Sequence, residues 1–97
     1  MAATHTAGSL ASEIDAEVEG PSELRVTAVA AIDSAVQGDV CFISTTAFAK
    51  KWADSDAMVA VASRGVDVPD HDPDKRALLW VDDAELAMAT VLAAFAP

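Results

Sequence analysis

Ninety-seven residues, 53% hydrophobic and 23% charged, are enough for one folded domain and too few for two. The formal net charge of −10 argues against nucleic acid and against docking on an anionic membrane surface, since both require a basic footprint, and it reads most simply as a device for solubility. No apolar run reaches the roughly 18 residues of a membrane span, the first residues do not form an export signal, and a lone cysteine, Cys41, points to a reduced, cytoplasmic protein without an internal disulfide.

Residues 1–8 are small or polar and read as a flexible start, with the folded domain over residues 9–97. Ser9 is placed to cap a short helix over residues 10–15. Residues 16–19 alternate small or apolar with acidic side chains, as an edge strand does, and Gly20-Pro21-Ser22 makes a turn. Residues 24–30 alternate in their first half and predict a second strand. Residues 32–38 form a connector, and Gly38-Asp39 turns the chain into a strand over residues 40–44. From Thr45 to about Ala53 the pattern becomes helical, with Phe48 and Trp52 four residues apart on one face. Residues 57–62 are continuously apolar, as in a strand covered on both sides, and residues 77–81 repeat that signature after a loop rich in proline and aspartate over residues 69–75. Asp82 is placed to cap a last helix, with Glu85 completing a capping-box-like pair. Along that helix Met88, Val91, Leu92 and Phe95 share a stripe, and Pro97 ends the segment. Buried strands alternating with short helices predict an α/β fold: a small single domain with a mixed, mostly parallel sheet.

Catalytic constellations are sparse. His5 lies in the flexible start. His71 sits between aspartates, where an imidazole can act as acid or base, although the loop around it reads as solvated. Asp67, Asp70, Asp72 and Asp74 lack the spacing and central glycine of a calcium loop. Cys41 lies inside an apolar strand, where a thiol is inert by default. No phosphate-cradling glycine loop, zinc motif or nucleophile elbow occurs, and neither a cofactor nor a metal is expected.

One corner does carry chemistry. In residues 38–52 a turn, an apolar strand, a small polar corner and the first turns of a helix follow one another, and Phe42 and Phe48 flank the corner. Free backbone N–H groups at a strand-to-helix corner, with two rings beside them, can hold a flat ligand. The plainer alternative is that Phe42 fills its strand's core and Phe48 packs on Trp52. Trp52 and Trp80 read as core and support. The basic pairs are Lys50-Lys51 and Lys75-Arg76.

The order Gly38-Asp39, Phe42-Ile43, Phe48, a basic helix, a valine-rich strand, a loop, Ala77-Leu78-Leu79-Trp80-Val81 and a last helix resembles a known domain, as does the preceding strand Leu24-Arg25-Val26-Thr27-Ala28-Val29-Ala30. From about Leu10 to Pro97 the chain is similar to the N-terminal uridine-binding domain of UDP-3-O-(3-hydroxyacyl)glucosamine N-acyltransferases, enzymes of lipid A (lipopolysaccharide) biosynthesis. The resemblance implies a fold shared with the N-terminal domains of UDP-muramoyl-peptide ligases, and it implies uracil and ribose binding at Phe42, Thr45 and Phe48. Thr45 stands where that family usually has asparagine, Ala47 where lysine is common, and Phe48 where tyrosine is usual. A threonine hydroxyl is shorter and less selective than an amide, whereas stacking asks only for a π-face. Lys50 or Lys51 is available to compensate near phosphate. The resemblance further implies that acyl transfer, the catalytic histidine, the acyl carrier protein and trimerisation belong to a β-helix of hexapeptide repeats. That part is absent here, so the chain is expected to be a fragment with a UDP-sugar as its direct partner. Two other readings stay open: the equivalent domain of a UDP-muramoyl-peptide ligase, and a non-catalytic module that binds a protein.

Overall fold

A computed structural model describes residues 5–69 and 71–95; residues 1–4, Asp70 and the Pro97 helix end therefore lie outside the described residues. In chain order the elements are β1 (His5–Thr6), α1 (Ala7–Ile14), β2 (Glu17–Glu19), β3 (Arg25–Val26), β4 (Ala28–Val29), β5 (Asp39–Ile43), α2 (Thr46–Ala49), a single 3₁₀ turn (Trp52–Asp54), β6 (Val59–Ser63), β7 (Ala77–Val81) and α3 (Ala84–Phe95). Five strands form one sheet in the order β2-β7-β6-β5-β4. The pairs β4·β5, β5·β6 and β6·β7 are parallel, and β2 joins β7 antiparallel at one edge. The sheet is thus mixed and mostly parallel, as the alternation of buried strands with short helices predicts. No helix among the described residues is long and apolar enough to cross a membrane.

The period of 2 in the strands divides the core into two layers. Val40, Val59, Val61, Leu79 and Val81 point to the face covered by α1 and α3. Cys41, Ile43, Ala60, Ala62 and Leu78 point to the other face, which Trp52 covers. The Val-Ala-Val-Ala alternation of β6 is informative here. Valines fill the space under two helices, while the methyls of Ala60 and Ala62 leave room for an indole that is 0% exposed.

Several local expectations change. The first helix begins at Ala7, capped by Thr6 rather than Ser9: the Thr6 hydroxyl accepts from Ser9 N–H at 3.1 Å, and Ser9 Oγ accepts from Thr6 N–H at 2.9 Å. Residues 5–8 are therefore built into β1 and α1. Residues 24–30 are not one strand. Arg25–Val26 pairs with β1 in a separate two-stranded sheet, and Ala28–Val29 pairs with β5. Between them Thr27 turns the chain, with its N–H donating to the Gly38 carbonyl at 2.8 Å. The helix expected over residues 45–53 is four residues of α2 followed by the 3₁₀ turn that lowers Trp52 into the core. At α3 the capping side chain is Asp83, whose Oδ1 accepts from Leu86 N–H at 3.1 Å; Asp82 instead pairs with Arg64 at 2.6 Å. On α3, Met88 and Val91 are buried but Leu92 is 55% exposed, so the stripe continues through Phe95 without it.

Candidate functional site

Open parallel sheets place ligands outside the carboxyl ends of their strands, and the corner between β5 and α2 lies at that edge. Phe42, near the end of β5, packs against the layer under α1 and α3. Phe48, on α2, packs against the opposite layer. The two half-buried rings come from opposite faces of the sheet and meet across its edge, with centroids 5.8 Å apart and planes inclined by 48°. The structure thus brings together the two predicted rings. The third predicted residue, Thr45, caps α2, its hydroxyl oxygen accepting from Phe48 N–H at 3.4 Å. An oxygen used this way keeps its own O–H free to donate to a carbonyl.

The ring separation sets a geometric condition. Two stacking contacts at the base spacing of roughly 3.4 Å need about 7 Å between parallel planes, so at 5.8 Å the rings touch each other. A base that enters between them replaces that contact, parting the rings by about an ångström and turning them toward parallel.

The charges around the corner differ on its two sides. On the α2 side a groove of about 420 Å³ carries both signs, lined by Ile32, Asp33, Ala47, Lys50, Lys51, Asp54 and Ser55. Lys51 Nζ lies 5.6 Å from the Phe48 centroid and 3.0 Å from Asp33 Oδ2. On the α3 side stand Asp82, Asp83 and Glu85, with Ser44 Oγ donating to Glu85 Oε1 at 3.4 Å. Arg64, the cation of that side, is held by Asp82 at 2.6 Å and Glu17 at 3.6 Å. The first turn of α3 is no anion site, because Ala84 N–H donates to Ser63 Oγ and Leu86 N–H to Asp83. A second groove of about 420 Å³ lies there, lined by Glu13, Asp15, Arg64, Asp83 and Leu86, among others. Neither groove includes Phe42 or Phe48 in its lining.

The other candidates turn out to be structural. His5 is part of β1; its Nε2 lies 3.1 Å from the Ala94 carbonyl, and its ring meets Phe95 edge-on at 4.7 Å. His71 is not a solvated loop residue: its side chain is 4% exposed. Trp52 Nε1–H donates to His71 Nδ1 at 3.1 Å, which leaves Nε2 to carry the proton it gives to the Glu19 carbonyl at 3.1 Å. Arg76 stacks 3.5 Å above the Trp52 ring and donates to the carbonyls of Ser55 and Ala57. Burial pulls its guanidinium below the ordinary value. Trp80 Nε1–H donates to Glu19 Oε1 at 3.0 Å. These partners are 19 to 61 residues apart, and no local pattern announces them. Burial pushes the Cys41 thiol up to about 12. Asp72 turns its loop by accepting from Asp74 N–H at 3.0 Å, and among the described residues no cluster of three or more ligating side chains could hold a metal.

Two comparisons with known proteins bear on the corner. The family model for UDP-3-O-(3-hydroxymyristoyl) glucosamine N-acyltransferase, LpxD, matches residues 23–94, which include the whole of β5, α2, β6 and β7. A UDP-3-O-acylglucosamine N-acyltransferase of Anaeromyxobacter dehalogenans (strain 2CP-C) is 30% identical over 95 residues. That alignment covers 98% of this chain and 26% of the relative, so the chain spans about a quarter of the curated protein it matches.

Proposed function

The chain belongs to the LpxD family of UDP-3-O-acylglucosamine N-acyltransferases, and from that premise we propose that it is the substrate-recognition domain gripping the uridine of a UDP-acylglucosamine. Uracil enters between Phe42 and Phe48 in place of their mutual contact. Thr45 donates its hydroxyl proton to a base or ribose oxygen while its oxygen continues to hold the Phe48 N–H. The observation that carries this reading is the pair of half-buried rings, one from each sheet face, meeting at the carboxyl edge of a parallel sheet. Acyl transfer, an acyl carrier protein and trimeric assembly belong, on this reading, to the part of such an enzyme that lies outside this chain. No observation favours the ligase alternative, since the matched family is the acyltransferase.

Titration of the labelled chain with uridine and with UDP, followed by amide shifts, tests the reading. Shifts are expected at Phe42, Thr45, Phe48 and their neighbours. Phe42→Ala and Phe48→Ala are each expected to weaken uridine about tenfold or more, the scale of one lost base–aromatic stack. A folded sample that shows no shift at millimolar UDP overturns the reading.

A further inference from the structure

His71 is a buried titratable group that the ring corner does not use, and its two ring nitrogens serve different partners. Its side chain is 4% exposed. Nδ1 accepts from Trp52 Nε1–H at 3.1 Å, and Nε2 donates to the Glu19 carbonyl at 3.1 Å. The loop between β6 and β7 is thereby pinned both to the 3₁₀ turn after α2 and to the edge strand β2. We infer that this pinning is an acid-sensitive clasp: a proton taken up by His71 releases the loop from Trp52 and leaves it held on β2. The clasp is independent of what the Phe42–Phe48 corner binds.

The reason lies in the atom that the proton must use. In the neutral ring Nε2 already carries its hydrogen, so a second proton has only Nδ1 to go to. Nδ1 is the acceptor for the indole, and an indole N–H can only donate. Once both atoms carry hydrogen, two donors face each other at 3.1 Å and the contact opens. The Nε2 side needs no rearrangement, because it donates to the Glu19 carbonyl in both forms.

The charges around the ring act in the same direction. On β2, Glu19 Oε2 stands 3.7 Å from Nε2 and attracts an imidazolium. The attraction is modest, since that carboxylate is 51% exposed and its other oxygen accepts from Trp80 Nε1–H at 3.0 Å. On the indole side Arg76 already holds a cation 3.5 Å above the Trp52 ring, fixed there by the carbonyls of Ser55 and Ala57. The Trp52 and His71 rings lie 6.0 Å apart, so the proton brings a second positive charge to the same indole. Asp56, whose charge acts on Arg76, is exposed. Within the loop itself Asp72 accepts from Asp74 N–H at 3.0 Å, and Asp74 and Lys75 are exposed. The imidazolium is thus drawn toward β2 and pushed from the indole. Trp52 is 0% exposed and stays stacked under Arg76, so the loop is the part that moves. The freed indole N–H then bonds to the water that the lifted loop admits.

The test follows the two rings together. The ¹⁵N-labelled native chain is titrated between about pH 8 and about pH 5, the range over which an imidazole changes charge. The His71 ring nitrogens, the Trp52 indole N–H (assigned with Trp80→Phe) and the amides of β6 and β7 are recorded at each step. The indole signal is expected to move on the same curve as protonation of His71, while the amides of β6 and β7 keep their folded positions. His71→Asn places an oxygen at the Nδ1 position and cannot take up the proton, so its indole signal is expected to stay still. At the acid end the indole N–H of the native chain is expected to exchange with water about five- to tenfold faster than that of His71→Asn, the range of one lost hydrogen bond. His5→Gln, which removes the other histidine, is expected to leave the native response intact. The inference is overturned if His71 gains its proton while the Trp52 indole signal stays where it was. It is equally overturned if the ring stays neutral until the amides of β6 and β7 are lost with the whole fold, or if His71→Asn responds to pH as the native chain does.

Discussion

At Cys41 a single atom makes the sheet's interior measurable. The thiol is 0% exposed, its Sγ 3.9 Å from the Val59 carbonyl, and burial pushes its pKa from 9.0 to about 12. In the unfolded chain the thiol ionises near its ordinary value, while in the native state it must keep its proton. Below about pH 9 both states hold that proton and the group contributes no pH dependence. Between about pH 9 and about pH 12 the unfolded state binds fewer protons than the native one, so stability falls as pH rises through that window. Urea unfolding of the native chain is expected to lose more stability between about pH 8 and about pH 10.5 than unfolding of Cys41→Ala does. Equal slopes for the two proteins would show that the thiol is not held neutral by the fold. The inertness of Cys41 was readable from its apolar surroundings in the sequence, and so was the Phe42–Phe48 corner, because strand, corner and helix lie within one short segment. His71 was not readable. Its neighbours are Pro, Asp and His-flanking Asp, which spell a wet loop, and what buries it is an indole 19 residues away and a carbonyl 52 residues away. The Lys51–Asp33 pair escaped for the same reason, its members being 18 residues apart.

Among the elements, β6 and β7 were legible almost residue for residue, because a strand buried on both faces needs an unbroken apolar run. The segment from Leu24 to Ala30 was misread for a physical reason: alternation reports that a strand is half buried, not which sheet it joins, and Val26 and Val29 serve different sheets. Helix starts were off by one to three residues, since several adjacent side chains could cap and only tertiary contacts choose among them. At α1 the N–H groups of Ala7 and Gly8 are drawn to the carbonyls of Leu24 and Ser22, which fixes the earlier start. At α3 the choice between two neighbouring aspartates yields a prediction. Asp83→Ala removes the side chain that caps Leu86 N–H and a negative charge from the positive end of the helix, and is expected to cost about 1 kcal/mol in urea unfolding. Asp82→Ala removes an exposed partner of Arg64, which retains Glu17, and is expected to leave the unfolding midpoint nearly where it was. A larger loss for Asp82→Ala than for Asp83→Ala would restore Asp82 as the cap.

For the whole molecule, the charge balance decides how salt acts on stability. The ion pairs formed by lysine and arginine among the described residues join side chains that are 42% to 92% exposed, so each attraction is small. Against them stands an excess of ten negative charges on a body with a radius of gyration of 11.7 Å. At about 0.01 M salt the screening length is roughly 30 Å, and every carboxylate feels every other; at about 0.15 M it is roughly 8 Å, and only neighbours interact. Raising the concentration of a simple chloride salt therefore removes more repulsion than attraction. Unfolding separates the charges, so the folded state gains most from the screening. The urea midpoint is expected to rise between these two concentrations, with most of the change complete by the upper one, where the screening length has fallen below the molecule's own radius. A midpoint that falls instead would mean that the exposed pairs at Lys51 and Arg64 outweigh the sum of the carboxylate repulsions.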